Sequence, residues 1–318
     1  MKYGIYVPNC WNYGSVAALT RLAQDAEQAG WEGFFIWDHL FVADDIPVVD
    51  PQIALASIAA ATAPDGLRHI GALVTPLARR RPWKVARETA ALQELSQGRL
   101  VVGVGLGRPP EYDFATWELS TSAERAAALD DGLELLKLFW EGKPVQWSKP
   151  TDGEPASGHA REVDAPAFLP APLLTPPIWV AGAIQYDDPD AERAATGPSA
   201  GGGGRRSAER SVRQPRRPFR RAASHDGLFP VRMPWDNAHP LSPQDLSRAI
   251  RLTFPSQPPP PDYDIVVTGR TKGPDAPVPQ GDLDDYEARG STWWLEAMPD
   301  LATLDEAQAI VAAGPPRH

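Results

Sequence analysis

The chain has few of the features that identify secreted, membrane or nucleic-acid-binding proteins. Its 318 residues include a single cysteine, Cys10, so no disulfide can form within the chain, which agrees with a reducing compartment. No stretch approaches the roughly 18 consecutive apolar residues of a membrane span, and the first residues fit a strand rather than a signal peptide. The formal net charge of −10 argues against a general nucleic-acid surface. We expect a cytoplasmic protein that binds neither membrane nor nucleic acid.

What the sequence does contain is an alternation of apolar strands and amphipathic helices. The N-terminal region predicts a strand over 2–7, a helix over 15–30 with Ser15 as its N-cap, and a second strand from Gly33. Further strands are predicted over 69–75, 100–104, 177–181, 227–231, 263–268 and 292–296, and further helices over 50–63, 82–95, 124–140, 242–253, 282–289 and 303–313. Eight alternating strands fit a (β/α)₈ TIM barrel, whereas a doubly wound sheet usually has fewer. We predict a single barrel domain over 1–318.

Two segments fit this alternation poorly. Residues 143–176 are rich in proline and lack periodicity, so we predict an irregular excursion or a small hairpin. Residues 184–217 contain four consecutive glycines and a tract of arginines, with almost no large apolar residue. Such a composition cannot contribute to a core, so we predict a flexible insertion there. It is either a solvated linker or a basic lid that closes over an anionic cofactor tail.

The second predicted strand leads directly into two titratable residues. Four apolar residues are followed by Asp38 and His39 in the segment GFFIWDHL. Because the carboxyl ends of the strands carry the chemistry of an α/β barrel, we predict catalytic roles for both side chains. An imidazole titrates near neutrality and suits proton transfer. The alternatives are that Asp38 caps the following loop and that His39 makes structural hydrogen bonds.

A metal site built on these two residues is not predicted. His69 and Asp226 are the other potential ligands, but the sequence has no HxH or HExxH spacing. His69 would also lie at the amino end of its strand, on the opposite face of the barrel.

Two further motifs could bind an anion. Three arginines at 79–81 follow the third strand, where one of them could bind a phosphate or an acidic tail; a solvated charge run is the alternative. Gly103, Gly105 and Gly107 follow a weak phosphate-binding pattern, which close packing would also explain.

The order of these motifs resembles the luciferase-like family of flavin- and F420-dependent oxidoreductases. The resemblance is carried by GFFIWDHL, the block ALVTPLARRRPWKVARETAALQELSQGRLVVGVGLG, PIWVAG, RRAASHDGLFP and TWWLE. It covers nearly the whole chain except 143–176 and 184–217. The resemblance implies a TIM barrel in which an FMN or F420 ring lies across the carboxyl ends of the strands.

The resemblance also implies which residues bind the cofactor. Asp38 matches an acidic residue that contacts the cofactor in F420 enzymes, and His39 matches a histidine proposed as acid or base near the reacting ring. The Ala72–Leu73 bond matches a non-prolyl cis peptide that forms a bulge behind the ring. The cofactor-binding residues implied beyond Asp38 are Ala72, Leu73, Val74, Thr75, Gly105, Gly107, Ala181, Gly182 and Ala183, the last three at the cofactor phosphate. Arg108 replaces the proton-donating glutamate of some F420 dehydrogenases, which argues against a sugar-phosphate dehydrogenase mechanism.

We therefore expect an oxidoreductase that uses FMN or F420 to transfer a hydride or to activate oxygen on a small organic substrate. FMN with oxygen would make the protein a monooxygenase, and F420 would make it a dehydrogenase or reductase. The alternative from another class is a non-catalytic flavin-binding relative, because the insertion at 184–217 interrupts the phosphate subsite. Relatives are often dimers, so the resemblance also suggests a homodimer.

Overall fold

The computed structural model describes residues 1–107, 121–149, 162–185, 216–233, 240–273, 276–279 and 282–316. Its strands are β1 (Lys2–Val7), β2 (Gly33–Ile36), β3 (His69–Pro76), β4 (Leu100–Gly105), β5 (Val145–Ser148), β6 (Glu162–Ala165), β7 (Ile178–Gln185), β8 (Gly227–Met233), β9 (Asp264–Gly269) and β10 (Trp293–Ala297). Its α-helices are α1 (Val16–Gln28), α2 (Pro51–Ala61), α3 (Pro82–Leu95), α4 (Ser122–Trp140), α5 (Arg216–Ala222), α6 (Pro243–Thr253), α7 (Leu283–Ala288) and α8 (Leu304–Ala312).

The strands form a closed parallel barrel in the order β1-β10-β9-β8-β7-β4-β3-β2. Around the barrel, neighbours follow chain order, apart from β5 and β6, which pair antiparallel in a separate sheet. The predicted (β/α)₈ barrel is confirmed, and each predicted strand lies within a few residues of an observed one. The hairpin predicted as one option for 143–176 is supported by the antiparallel pairing of β5 with β6; residues 150–161 between them lie outside the described residues.

Alternation along each strand divides the apolar core into two parts. Side chains that point outward pack under the helices, as Ile5 and Trp294 do. Side chains that point inward fill the barrel, among them Phe35, Trp179 and Trp293. These three rings lie 5.2–5.9 Å apart between centroids. Because Trp179 and Trp293 stand at the start of their strands, the amino end of the barrel is filled with aromatic side chains.

Polar caps determine where several helices begin. Ser15, Asp50 and Ser242 each accept a backbone N–H of the first helical turn. Helix α4 begins at Ser122 rather than at the predicted Glu124, because Thr121 caps it and Glu124 returns a bond to the Thr121 backbone. Among the described helices, none combines the length and the apolar character needed to cross a membrane.

The predicted insertion is shorter than its sequence boundaries suggested. Strand β7 continues through Ile184 and Gln185, which pair with β8, and helix α5 begins at Arg216. Both ends are ordered by buried apolar side chains: Ile184 is 1% exposed and Phe219 is 0% exposed. The prediction of a flexible segment is therefore wrong at 184–185 and 216–217, and the remainder, 186–215, lies outside the described residues.

Candidate active site at the carboxyl end of the barrel

A cavity of about 380 Å³ opens at the carboxyl ends of the strands. The predicted site residues that line it are Asp38, His39, Leu73, Val74, Gly107, Ala181 and Ala183. The predicted residues that do not line it are Ala72, Thr75, Gly105 and Gly182. The structure therefore brings most of the predicted site together, and the differences follow from the direction of individual side chains.

The inner wall of the cavity is aromatic. The ring of Tyr6 lies 6.0 Å from Trp37 and 5.8 Å from Phe229. The Tyr6 hydroxyl donates to the Leu73 carbonyl at 2.7 Å, and burial raises the pKa of Tyr6, which keeps the phenol protonated. The sequence prediction missed Tyr6. The sequence signal for it was a tyrosine next to the last residue of β1, close to the carboxyl end of that strand.

His39 lies on the cavity wall with its backbone held on both sides. The His39 N–H donates to Asn9 Oδ1 at 3.1 Å, and Asn9 Nδ2 donates to the His39 carbonyl at 2.9 Å. Asn9 is fully buried and also donates to the Val49 carbonyl at 2.8 Å. The imidazole stands edge-on to Trp37, with 5.4 Å between ring centroids. A half-buried imidazole on a fixed backbone can exchange a proton with a molecule in the cavity.

The carboxylate of Asp38 is held by two arginines that follow β3. Arg79 pairs with Oδ1 and donates to the Asp38 carbonyl at 2.8 Å, while Arg80 lies 3.1 Å from Oδ2. The Arg79 and Arg80 side chains are 7% and 15% exposed, so this part of the arginine run is not a solvated surface. Burial opposes the charge of Arg80, but Asp38 and Glu88 outweigh it, and the pKa of Arg80 is raised. Asp38 thus anchors the strand end that carries His39.

Strand β3 forms one side of the cavity through a local irregularity. The cis peptide bond joins Leu73 and Val74, one residue later than the predicted Ala72–Leu73 bond. The pairing of β3 with β4 shifts register between Ala72 and Thr75, which confirms the predicted bulge. Leu73 and Val74 face the cavity, Ala72 packs into the outer core, and Thr75 is buried outside the cavity lining.

The glycines after β4 have different surroundings. An added Cβ would lie 2.8 Å from Val74 at Gly105 and 2.2 Å from the Leu73 side chain at Gly103. Both positions therefore allow β3 to pack closely against β4. This is the close-packing explanation that the sequence analysis gave as the alternative to phosphate binding. Gly107 has a φ of 78° and lines the cavity.

Strand β7 contributes alternate residues to the site. Ala181 and Ala183 point into the cavity, whereas a Cβ at Gly182 would lie 2.8 Å from the ring of Phe219 in α5. The period-2 alternation of a strand accounts for this difference. Small side chains at Ala181 and Ala183 leave room where larger ones would fill the barrel.

One edge of the cavity is polar and carries positive charge that the sequence prediction missed. It consists of Ser122 and Arg125 of α4, Gln185 of β7 and Arg221 of α5. Arg125 is 5% exposed and donates to Ser122 Oγ at 3.3 Å. The Arg221 side chain is 7% exposed and pairs with Asp130 at 2.5 Å. Sequence gives little signal for such arginines, because long helices often carry them on solvated faces.

The remaining titratable candidates lie away from this cavity. His69 stands at the amino end of β3, 4.9 Å from the Trp293 ring, and burial lowers the pKa of His69 to about 4. Asp226 accepts the Ile178 N–H at 2.8 Å, at the start of β7. Within the described ranges, no group of three His, Cys, Asp or Glu residues could hold a metal ion. Arg108 lies outside the described residues.

A family model described as luciferase-like monooxygenase matches residues 1–186. The matched part includes β1 to β7 and therefore Asp38, His39 and the β3 irregularity. It agrees with the family resemblance inferred from the sequence motifs.

The chain is also similar to characterised enzymes over part of their length. It is 28% identical over 165 residues to the F420-dependent hydroxymycolic acid dehydrogenase of Mycobacterium tuberculosis, covering 51% of this chain and 43% of that protein. It is 26% identical over 212 residues to the dimethyl-sulfide monooxygenase of Hyphomicrobium sulfonivorans, covering 54% and 41%. The matches thus span less than half of either relative.

Among solved structures, similarity extends over the whole barrel. An F420-dependent secondary alcohol dehydrogenase in complex with an F420–acetone adduct aligns over 98% of both chains, with a TM-score of 0.65. The sequence identity is 13%, so this likeness supports the fold alone.

Proposed function

Because this chain belongs to the luciferase-like monooxygenase family, we propose that it is an oxidoreductase whose flavin or deazaflavin cofactor, FMN or F420, binds in the carboxyl-end cavity. The relatives include an F420-dependent dehydrogenase and a monooxygenase, so both cofactor types are within the family. The observation that supports the proposal best is a single cavity with an aromatic wall, a positively charged edge and the imidazole of His39.

The residues of the cavity fit a planar ring that carries a phosphate. Tyr6, Trp37 and Phe229 supply apolar and aromatic contact area, as cofactor sites generally do. Arg125 and Arg221 supply positive charge at the polar edge, where a phosphate would form charge-assisted hydrogen bonds. When bound, the cofactor would supply the hydride transfer or the oxygen activation.

The protein's own groups would orient the reactants and handle protons. His39 would donate or accept a proton from the cavity wall, and Asn9 would keep the backbone of His39 in place. Aromatic and aliphatic side chains would exclude water from the reacting centre. Contact between Asp38 and the cofactor stays a prediction; the two arginines on its carboxylate support a positioning role for Asp38.

The substrate we propose is a small, weakly polar organic molecule. Beside the aromatic inner wall, the cavity is lined by the apolar side chains of Leu73, Val74, Leu106, Val231 and Met233. Against the alternative of a non-catalytic flavin-binding relative, β7 continues unbroken through the proposed phosphate subsite at Ala181–Ala183 to Gln185.

Binding and turnover test this proposal separately. We expect the purified protein to bind F420 or FMN, followed by absorbance or fluorescence in both redox states, and to turn over an organic donor or acceptor. Failure to bind either compound in either state would contradict the proposal, and binding without turnover of any substrate would favour the non-catalytic alternative.

A phosphate-directed variant tests the placement of the cofactor. Arg125→Gln should weaken FMN binding by about tenfold, since a hydrogen bond to a charged group is lost, and leave riboflavin binding nearly unchanged. If F420 alone binds, the same comparison applies to F420 and its phosphate-free deazaflavin. The matched control is Arg216→Gln, an exposed arginine of α5 outside the cavity. An equal loss for the phosphate-free compound would contradict this placement.

A further inference from the structure

Arg270 is a partly buried arginine at the carboxyl end of the barrel, directly after the last residue of β9. Its Nε is shielded from solvent and has no hydrogen-bond partner among the described residues. The arginines at 79, 80 and 125 also bury Nε in this way, but each of them forms hydrogen bonds through a terminal nitrogen. Within the described ranges, the Arg270 guanidinium group forms neither a hydrogen bond nor an ion pair.

The alternation of β9 places Arg270 in the row of residues that faces the barrel interior. Val266 belongs to the interior cluster, whereas the residues on either side of it pack in the outer layer. Thr268 pairs with Leu295, which is also an interior residue. With a period of two residues, Val266, Thr268 and Arg270 therefore follow one another on the inner face.

This inward row runs beside residues of β8 that line the active-site cavity. The parallel register seen at the start of β8 and β9, continued towards their carboxyl ends, brings Thr268 level with Val231 and Arg270 level with Met233. Val231 and Met233 both line the cavity. Because neighbouring strands lie about 4.8 Å apart, a molecule in contact with Met233 is within reach of the long Arg270 side chain.

The backbone around Arg270 is fixed, although its guanidinium group has no partner in the described part of the chain. The Arg270 carbonyl accepts the Val278 N–H at 3.2 Å. Glu296 is fully buried and accepts the Thr271 N–H and hydroxyl at 2.7 Å each and the Lys272 N–H at 3.0 Å. A cation on a backbone held in this way is preorganised for a ligand, because binding orders little more of the chain.

Thr268 adds a second polar group without a partner to the same row. Its Oγ1 is buried and forms no hydrogen bond with any described residue. Buried polar groups in proteins are nearly always hydrogen-bonded, and leaving one unpaired destabilises the folded state. A ligand that bonds to both groups would remove this penalty, and it must offer anionic oxygen atoms to do so.

We propose that Arg270 and Thr268 bind the carboxylate of a substrate whose apolar body lies in the active-site cavity. The inference rests on the proposed function and narrows its substrate to an apolar organic acid. A guanidinium group binds the two oxygens of a carboxylate side by side, and the Thr268 hydroxyl can donate to one of them.

The charge of Arg270 favours a carboxylate over a phosphate group. One guanidinium group balances the single charge of a carboxylate, whereas a phosphate monoester carries about two negative charges. The proposed function also assigns the cofactor phosphate to the polar edge formed by α4 and α5. The β9 side of the mouth is therefore the part that remains for the substrate.

Matched acids and amides test this inference. We would measure the Kd of butanoate, hexanoate and octanoate, and of the corresponding amides, by isothermal titration calorimetry on the cofactor-loaded protein. An amide keeps the shape of the acid and lacks its charge. The wild type should bind the acid of the best-fitting length about tenfold more tightly than its amide, because hydrogen bonds to a charged group are lost in the amide. Raising the salt concentration should reduce that difference.

Variants at the two positions provide the matched comparison. Arg270→Gln should bind acid and amide with nearly equal Kd, while its Kd for the amide and for the cofactor stays as in the wild type. Thr268→Val, which removes only the hydroxyl, should weaken binding of the acid a few-fold. Arg251→Gln is the control and should keep the wild-type preference, because Arg251 is an exposed arginine in the last turn of α6.

Thermal unfolding separates ligand binding from a structural role. Neither side chain has a partner in the described part of the chain, so Tm in Arg270→Gln and Thr268→Val should be no lower than in the control. A clear decrease of Tm in Arg270→Gln would assign Arg270 to the stability of the fold and overturn the inference.

The outcomes also separate this inference from the proposed function. Equal wild-type Kd values for acids and amides, no binding of any acid, or the same loss of preference in the control would overturn the role of Arg270 and leave the cofactor proposal intact. Absence of binding by every flavin and deazaflavin, measured before the acids are added, would overturn the proposed function itself.

Discussion

The two ends of the barrel interior are built from the same alternating strands and differ in what fills them. At the amino end, Phe35, Trp179 and Trp293 pack within 5.9 Å of one another. At the carboxyl end, Ala181 and Ala183 occupy inward positions and leave a cavity of about 380 Å³. The size of the inward side chains therefore decides which end stabilises the fold and which end can bind a molecule. This agrees with TIM barrels in general, whose active sites lie at the carboxyl end and whose amino end contributes to stability.

Polar groups at the two ends differ in the same way. At the amino end, the Asp264 carboxylate accepts Trp293 Nε1–H at 2.9 Å and pairs with Lys2 at 3.1 Å, so it joins strand starts. At the carboxyl end, Asp38 joins the end of β2 to the arginines after β3, directly beside the half-buried His39. At the amino end the charged groups thus only hold strands together. At the carboxyl end they also position His39, which faces the cavity.

The largest effect should come from emptying the amino end. Trp179→Ala removes a fully buried ring from the contacts with Phe35 and Trp293, and we expect it to lower the free energy of unfolding by about 3–5 kcal/mol. Urea denaturation would measure the change. Leu173→Ala, at a side chain that is fully exposed, is the control and should change stability by less than about 0.5 kcal/mol. Similar losses in the free energy of unfolding for both variants would show that the aromatic side chains at the amino end do not contribute more to stability than an exposed surface residue.

Breaking the ion pairs at the carboxyl end should be nearly as costly. Asp38→Asn leaves Arg79 and Arg80 buried without their shared carboxylate, so we expect a loss of about 3 kcal/mol in the free energy of unfolding. The control is Asp285→Asn, whose exposed pair with Arg289 should contribute less than about 1 kcal/mol. A stability loss for Asp38→Asn no larger than that of the control would show that the cluster does not anchor β2.

A comparison of two histidines tests which end carries the chemistry. His39→Gln should lower turnover by about a hundredfold and change cofactor affinity only a few-fold, because it removes a proton-transfer group and leaves the rest of the cavity. His69→Gln lies at the other end and should leave turnover nearly unchanged. Steady-state kinetics with the identified cofactor would measure both. Equal loss of turnover in the two variants would contradict the assignment.

The smallest expected effect is a dependence of stability on pH from the amino end. Burial lowers the pKa of His69 to about 4 in the folded state, below the unfolded value near 6.5, so the unfolded chain binds this proton more readily. Above pH ~6.5 the imidazole is neutral in both the folded and the unfolded state, so it does not change the free energy of unfolding. That free energy falls as the pH drops from ~6.5 towards 4. We expect Tm to decrease between pH 7 and pH 5, and to decrease less in His69→Gln. An unchanged slope in that variant would assign the effect to other groups, such as His225.

The barrel was predictable because it depends on local pattern. A buried-type strand that ends in Asp38 and His39 also predicted a candidate site at this end of the barrel, and both residues line the cavity there. Helix α5 was missed because it has only seven residues, with Phe219 and Ala222 as its apolar anchors after an arginine tract. Such a short segment has too few turns to show a helical period.

The direction of individual side chains in the site was less predictable. Ala72 and Gly182 were expected at the cofactor, yet both face the helix layer, because a shift of one residue in a strand exchanges inside and outside. The cis bond lies one residue later than the motif placed it, between Leu73 and Val74. Arg125 and Arg221 reach the cavity from helices that are distant in sequence, and nothing local marks them.

The amino-acid sequence by itself determined the alternation of strands and helices, the closed barrel and the strand end that carries Asp38 and His39, because each follows from hydrophobic period and capping residues close in the chain. Only the tertiary structure decided that Asp38 pairs with Arg79 and Arg80, that small residues leave the carboxyl end open, and that Arg125 and Arg221 reach the cavity from α4 and α5. These arrangements depend on contacts between residues far apart in the chain, and such contacts exist only once the barrel has closed.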